Sequence, residues 1–501
     1  MPSKTTKDKV TFMIDELSET TYINGHWIRP AGKLTPVVNP ATGQVIGSIC
    51  TSTPKEVDGA VEAAESAFQH WSQLSAKERA NFLHQLGDAI EADVKSIAQV
   101  MTTEQGKPLN EAKGEILKLA ETCHFYAEEA VRIHGESFPN DSNDFESLVI
   151  REPIGVVAAI TPWNYPAELV GWKLCAALAA GCTIVIKPAE LTPFTALAIA
   201  KKVEQVAIPP GVVNFVTGSG STVGQTLVEH PTVKKVAFTG SSEVGLKIQQ
   251  SCRNIKRLSL ELGGNCPMVV TGSANLDEAV KGASRRSFRN NGQICIAINR
   301  IYVDRSLYSK FVETLAESAS YLTVANGLDS PDADVGALAS EDVLKKTQEH
   351  IADALDKGAN LLEGGLPPIG QEFKQGLFFR PTVLVDCTQN MKVMSEETFG
   401  PVVGVAPYDS LEQAIELCND TPYGLAAYVY SKHMDETKLL TSRLDYGNVA
   451  VNNVDAGIIN APYGGRKQSG VGYEHGREGM LEYLQFKHIR TRFEQPGRSE
   501  Q

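Results

Sequence analysis

The stretch NNGQICIAINR, Asn290 to Arg300, sets Cys295 just after Gly292, in a turn where a thiol can be displayed to a ligand. A free thiol near its reference pKa of about 8.5 is only slightly ionised at neutral pH, yet it is intrinsically a good nucleophile. An aldehyde is electrophilic enough to accept it. The competing reading makes Cys295, one of nine cysteines, a small buried hydrophobe. Glu261 ends the apolar run of LSLELGGNCP, an odd place for a surface charge and a suitable one for a general base with a raised pKa. Asn164 stands between two prolines in TPWNYP, where its amide could donate to a developing oxyanion or satisfy turn backbone.

Two glycine loops suggest phosphate binding. TGSGSTVG, with Gly220, follows one apolar run, and FTGSSEVG, with Gly240 and Ser241, follows the next and leads into EVGLKIQQSC. Glycines admit a close approach by phosphate, and a helix start offers free N–H groups and a positive dipole end. Neither loop is a GxGxxG, so each alone also fits an ordinary strand-to-helix turn. In IVIKPAE, Lys187 and Glu190 leave a strand end together and could meet a nucleotide ribose. A carboxylate accepts two hydroxyls and repels a 2′-phosphate, so Glu190 favours NAD, with NADP still open; the alternative is a surface ion pair.

These groups need a framework. From about Pro54 to Glu129 apolar residues recur at helical spacing, and PKEVDGAVEAAESAFQHW and AKERANFLHQLGDAIEADVKSIAQVMTTEQGK read as packing helices. Past Ser147, β-rich runs alternate with helical ones: GVVAAI, a helix over 167–180, CTIVIKP, GVVNFVTG, KKVAFTG, RLSLELGG and PMVV. NRIYVD, FFRPTVLVD, GPVVGVAPY and AAYVYS continue the series. Apolar strands separated by helices predict mostly parallel sheets covered on both faces, an α/β protein with a second α/β domain from about Leu262. A length of 501 residues calls for two or three domains.

A net charge of −13 argues against nucleic acid or an anionic membrane as partner, leaving a small molecule. The N-terminus lacks a signal-peptide pattern. The longest mainly apolar region, 154–186, holds Pro162, Pro166, Glu168 and Lys173, so no membrane span is expected and the expected location is cytoplasmic. Nine scattered cysteines without CxxC pairs fit reduced thiols better than a disulfide framework or a metal site. The tail FEQPGRSEQ reads as loose.

Taken together, TPWNYP, KPAE, FTGSSEVG, LELGGNCP, GQIC, EETFGP and PYGGRKQSGVG, in this order from about Tyr22 to Ile489, resemble the NAD(P)-dependent aldehyde dehydrogenase superfamily. The resemblance implies an α/β fold with a Rossmann-like cofactor domain (1–130 and 152–261, with 466–481 returning to it), a catalytic domain (262–465) and a small β oligomerisation arm with the tail (131–151 and 482–501). It implies a homodimer or homotetramer. It makes Cys295 the nucleophile that forms a thiohemiacetal and then a thioester, Asn164 the oxyanion amide and Glu261 the base that activates water. It places Lys187 and Glu190 at the adenosine ribose, Ser241 and Trp163 near the dinucleotide, Glu397 and Phe399 around the nicotinamide ribose, and Glu474 as a proton relay or, alternatively, a helix-start carboxylate.

The substrate hints conflict. Arg289 matches the carboxylate-binding arginine of succinate-semialdehyde dehydrogenases, but that subfamily's second arginine falls on Trp172, and VDAGIINAP lacks its hydroxyl contact. Tyr165 and Trp172 resemble the aromatic wall of betaine- and aminoaldehyde dehydrogenases, yet Arg289 would repel a cation. An anionic or polar aldehyde of some bulk is expected; the alternatives are a betaine, amino or aromatic aldehyde, or Arg289 as a helix-end cation. A CoA-acylating enzyme usually lacks a glutamate at the place of Glu261, a non-catalytic relative would have lost reactive or cofactor groups, and a plain cysteine hydrolase has no use for a nucleotide set. No regulatory site is legible, and Ile296 beside Cys295 leaves no partner for a vicinal disulfide.

Overall fold

The β-rich runs assemble into two sheets and an arm in the computed structural model, which describes residues 6–493. The first sheet has six strands in the order Gly470–Val471, Arg257–Glu261, Val233–Thr239, Val156–Ile160, Thr183–Lys187, Val213–Phe215. All neighbours are parallel except the first pair. Val156–Ile160 and Thr183–Lys187 are buried throughout, which is why they read as continuous apolar runs rather than alternating ones. Their register is level: Ile160 pairs with both Lys187 and Phe238, and Thr239 pairs with Glu261. Four adjacent strands therefore deliver TPWN, KPAE, TGSS and LGGN at one carboxyl edge, where open α/β sheets bind ligands.

The second sheet runs Asn360–Glu363, Thr382–Val385, Val402–Tyr408, Ile298–Asp304, Cys266–Val270, Ala426–Tyr430, Asn448–Val451, antiparallel only at its first pair. The arm is a three-stranded antiparallel sheet of Leu484–Arg492, Phe145–Pro153 and Glu136–Phe138. Phe486, Ile489 and Phe138 stand exposed on it. Two largely parallel sheets and a small β arm are the architecture that the sequence resemblance implied. Beyond Phe493, the tail expected to be loose lies outside the described residues.

Two features differ from the sequence reading. The long helical stretch is broken: Ala76–Ala92 and Val94–Gln105 are separate helices, because Asp93 leaves the helical region at φ −117°. Ahead of them lie two unread hairpins, Thr21–Ile23 with His26–Ile28 and Leu34–Val38 with Val45–Cys50. The first turns on Asn24 (φ 52°) and Gly25 (φ 77°), an Asn-Gly pair of the kind that two-residue hairpins favour.

One buried ion pair ties the helical region to the first sheet. Lys107 Nζ lies 2.6 Å from Glu115 Oε2, both side chains fully buried. The ammonium also donates to the Asn164 carbonyl at 2.8 Å and sits 3.9 Å from the Tyr165 ring centroid. Glu115 Oε1 accepts the N–H groups of Ala167 (2.9 Å) and Glu168 (3.2 Å). The helix Glu168–Ala180 has no side-chain cap of its own, so a glutamate from another helix supplies it.

Removing one partner strands the other charge in the interior, a loss of about 3–5 kcal/mol. Glu115→Ala is expected to lower stability by that amount in chemical denaturation, and Lys107→Met/Glu115→Leu by clearly less. Equal losses in the single and double variants would show that the pair does not act as a unit.

Candidate active site

Cys295 sits on a loop with an unusual backbone. Asn290 (φ 48°), Asn291 (φ 58°) and Gly292 (φ 69°) are left-handed in succession, a conformation asparagine and glycine tolerate best. A Cβ at Gly292 would lie 2.2 Å from the Gly400 carbonyl oxygen, so EETFGP packs directly on this turn. Side chains hold it from every direction. Asn290 Nδ2 donates to the Asn164 carbonyl at 3.0 Å, Gln105 Nε2 to Asn290 Oδ1 at 3.0 Å, and Asn291 Nδ2 to the Gly336 carbonyl at 3.0 Å. Asn164 Nδ2 donates to the Gln293 carbonyl at 3.0 Å, which engages one of its two N–H bonds. Cys295 Sγ lies 3.5 Å from the Tyr463 hydroxyl. Burial pushes the Cys295 thiol up to about 12, against the lowering effect of Tyr463 and with the charges of Glu397 and Glu261 adding to the rise.

Glu261 is buried, and neither carboxylate oxygen has a partner among the described residues. Burial first, and then the charge of Glu474, hold it well above the usual carboxylate range, with Lys173 opposing. Lys173 is itself fully buried and donates to Glu474 Oε1 at 2.6 Å and to Thr239 Oγ1 at 2.6 Å. The second oxygen of Glu474 is unpartnered. Glu474 is thus a buried, ion-paired carboxylate just ahead of the helix Gly476–Leu481.

A cavity of about 270 Å³ lies at the carboxyl edge of the first sheet, lined by Trp163, Gly240, Ser241, Glu397 and Phe399 together with Asn164, Leu169 and Cys295. Trp163 and Phe399 meet edge to face at 5.4 Å. Glu397 Oε1 accepts the Gly264 N–H at 3.0 Å, and a Cβ on Gly263 would come within 2.7 Å of its other oxygen. Ser241 lines the cavity but spends its hydroxyl oxygen on the Val244 N–H at 3.3 Å, capping the helix Ser242–Ser251. Lys187, Glu190 and Gly220 are not in this lining. Lys187 Nζ donates to the Gly218 carbonyl at 3.1 Å, which sets KPAE against the TGSGSTVG loop, and Gly220 faces open space. Burial pulls the Lys187 ammonium down to about 8. Bare glycine backbone, a half-buried carboxylate and an aromatic pair beside the thiol fit part of a dinucleotide.

On the other side of Cys295 a cavity of about 310 Å³ is lined by Asn164, Tyr165, Leu169, Trp172, Arg289, Tyr463 and His475, among others. Arg289 follows the helix Leu276–Phe288, and its Nε donates to Glu111 Oε1 at 3.0 Å. Glu111 also receives the Asn290 N–H and the Tyr165 hydroxyl, each at 3.3 Å. No partner for the two Nη groups of Arg289 is found among the described residues. Lys107, Glu111, Lys173, Tyr463 and His475 were not singled out from sequence. Tyr463 stood inside the quoted motif PYGGRKQSGVG; the others sit in stretches that read as amphipathic helix or loop.

No group of three or more His, Cys, Asp or Glu side chains able to hold a metal ion occurs among the described residues, nor a helix there long and apolar enough to cross a membrane. All nine cysteines are free thiols.

Fold, thiol loop and the cavity at the sheet edge agree with comparison to known proteins. The chain belongs to the aldehyde dehydrogenase family, whose model matches residues 27–489. It is an NAD(P)-dependent aldehyde dehydrogenase, an enzyme that oxidises a small-molecule aldehyde through a catalytic cysteine. It is 43% identical over 477 residues to a glutarate-semialdehyde dehydrogenase of Pseudomonas aeruginosa, covering 94% of this chain and 97% of that one. It is also 43% identical over 472 residues to a succinate-semialdehyde dehydrogenase [NADP(+)] of Escherichia coli, covering 93% and 96%. The crystal structure of a betaine aldehyde dehydrogenase of Staphylococcus aureus in complex with NAD+ superposes with a TM-score of 0.94 at 34% identity, covering 99% of this chain and 100% of that one.

A thiol raised to about 12 gains thiolate by about tenfold per pH unit through the whole accessible range. Inactivation of the cofactor-free enzyme by iodoacetamide is therefore expected to be slow at pH 7 and still accelerating at pH 10. A plateau near pH 8.5 would show an ordinary, unburied thiol.

Proposed function

We propose that this enzyme oxidises an anionic semialdehyde to the corresponding dicarboxylic acid, with Cys295 as nucleophile and Arg289 as anchor for the distal carboxylate. The supporting observation is Arg289 itself: it shares a cavity with Cys295, its Nε is tethered to Glu111, and its two Nη groups are left over for a bidentate carboxylate. The semialdehydes in the names of the P. aeruginosa and E. coli relatives accord with this reading.

The chemistry follows from the placement of side chains. Cys295 Sγ attacks the aldehyde carbon as its proton leaves, and the new oxyanion is met by the free N–H of the Asn164 amide and the backbone N–H of Cys295. NAD(P)+, when bound in the cavity that Trp163, Gly240, Ser241, Glu397 and Phe399 line, supplies the two-electron oxidant that turns the thiohemiacetal into a thioester. Lys187 and Glu190 would hold its adenosine ribose, with Glu190 favouring NAD over NADP, and the TGSGSTVG loop at Gly220 its neighbouring part. Glu261, once deprotonated, takes a proton from water, whose oxygen attacks the thioester carbon; the C–S bond breaks, releasing the acid and the Cys295 thiolate. Glu474, salt-bridged to the buried ammonium of Lys173, passes the proton onward.

In this reading 1–130, 152–261 and 466–481 serve the cofactor, 262–465 carries the catalytic thiol, and the arm of 131–151 and 482–501 joins subunits into a dimer or tetramer through its exposed apolar residues. The enzyme works in the cytoplasm. Tyr165 and Trp172 line the same cavity as Arg289, which supports a second reading: an amino, betaine or aromatic aldehyde held against the rings.

NADH formation on succinate semialdehyde, glutarate semialdehyde, betaine aldehyde, an aminoaldehyde, benzaldehyde and a short aliphatic aldehyde separates the readings. A semialdehyde is expected to have the highest kcat/KM, and Arg289→Ala to lower it selectively, by about 10²-fold or more, as for loss of one partner of a buried charged hydrogen bond. Neutral or cationic aldehydes winning in both proteins would hand specificity to Tyr165 and Trp172.

A further inference from the structure

The aldehyde cavity does not end at Trp172. A second chamber of about 360 Å³ adjoins it, sharing Lys118, Glu168, Trp172, Gly457 and His475 with it. Of these, His475 is the one whose chemistry nothing above accounts for. It is buried, its ring stands edge-on to Trp172 at a centroid distance of 4.1 Å, and it tilts against Tyr463 at 5.4 Å. Tyr463 in turn reaches the Cys295 thiol.

The state of this imidazole is dictated by its neighbours. Nδ1 lies 3.2 Å from the Ile458 carbonyl, an acceptor, so Nδ1 carries the proton. Burial pulls the ring's pKa down to about 3, opposed by the Ile458 carbonyl and reinforced by Lys118 and Lys173. The ring is neutral, and Nε2 is left as a bare acceptor. Nε2 is buried and has no partner among the described residues. A buried acceptor with nothing to accept is unfavourable, and a donor brought in by a bound molecule relieves it.

The backbone points the same way. His475 adopts φ 61° and ψ 170°, a region nearly reserved for glycine. Strain of this kind persists where the surroundings force it, chiefly at sites of function. Here it carries the imidazole to the junction of the two chambers.

We propose that His475 is a specificity-determining residue: its Nε2 accepts a hydrogen bond from a donor group, hydroxyl or ammonium, on the tail of an aldehyde that extends past Trp172 into the outer chamber. The proposal rests on the cavity beside Cys295 being the aldehyde's, and it names a tail chemistry separate from the carboxylate that Arg289 would hold. Glu121 and Asn460 in the outer chamber offer further acceptors to a hydroxylated or ammonium-bearing tail.

The test uses aldehydes of four to eight carbons ending in methyl, hydroxyl, ammonium or carboxylate, with the enzyme and its NAD(P)+ saturated. At one or two chain lengths, kcat/KM for the hydroxyl or ammonium tail is expected to exceed that for methyl by about tenfold or more, since a site with an unpaired acceptor rejects the analogue that cannot fill it. His475→Asn meets the same backbone strain as histidine and can still donate to Ile458, but lacks Nε2; it should bring that ratio to near one. His475→Gln, which places an acceptor farther out, should restore part of it. Which tail is preferred distinguishes hydroxyl from ammonium. A merely structural histidine would lower kcat/KM equally for all tails, and an unchanged ratio in His475→Asn, or no preference in the wild type at any length, overturns the proposal. If His475→Asn does not fold, His475→Gly, which suits the backbone, answers the same question. The carboxylate-to-methyl ratio in Arg289→Ala reports on the semialdehyde reading alone, so either idea can fail without the other.

Discussion

A salt bridge with no access to water, Lys107–Glu115, fixes where the chemistry occurs. Its ammonium holds the carbonyl of Asn164 and its carboxylate holds the N–H groups that open the next helix. The peptide carrying the Asn164 amide is thus gripped at its carbonyl and just downstream, by charges that cannot be relocated without leaving one of them buried alone. Glu104 repeats the device after the neighbouring strand, Thr183–Lys187, taking the N–H groups of Phe194 and Thr195 at 2.8 and 2.7 Å to start the helix Pro193–Gln205. Burial pushes this carboxyl up to about 8, against the lowering effect of the same hydrogen bonds. Glutamates from the helical region thereby set the starting points of two helices that cover the first sheet.

With the scaffold so constrained, reactivity is governed by a shortage of solvent around three charges. Lys173 stands between Thr239 at the end of one strand and Glu474, and its charge also acts on Glu261 at the end of the next. Two carboxyls and one ammonium in a dry space cannot all be ionised at equal ease. The ion pair satisfies Glu474, and Glu261 is left as the group whose ionisation is hardest, which is the condition for a proton to be mobile there rather than permanently gone.

How far the sequence could be read depended on whether a residue's role was local. TPWN, KPAE, TGSS and LGGN end apolar strands, so their convergence on one sheet edge followed from the parallel pattern alone, and the register bears out that geometry. Cys295 stood out through the glycine turn before it. Glu115 did not, because in LNEAKGEILKLAETCHFY a buried carboxylate occupies a helical position indistinguishable from those of its exposed neighbours; only the chain packed against it, 52 residues away, makes it interior. Glu111 escaped for the same reason, although it decides which nitrogens of Arg289 remain free. The break at Asp93 was invisible to periodicity because apolar spacing resumes in the following helix. The Asn24–Gly25 hairpin, in contrast, carried a strong local signal.

The cavities flanking Cys295 have separate linings and share only Asn164, Leu169 and Cys295. On the reading proposed above each reactant has its own berth, and neither has to vacate for the other to enter or leave. The sequence in which partners come and go is then a matter of relative affinity and of how much each one organises the thiol loop, not of one blocking the other's exit. On that reading a bound carboxylic acid can depart while the nucleotide stays, and the next oxidation waits only for reduced nucleotide to be exchanged for oxidised.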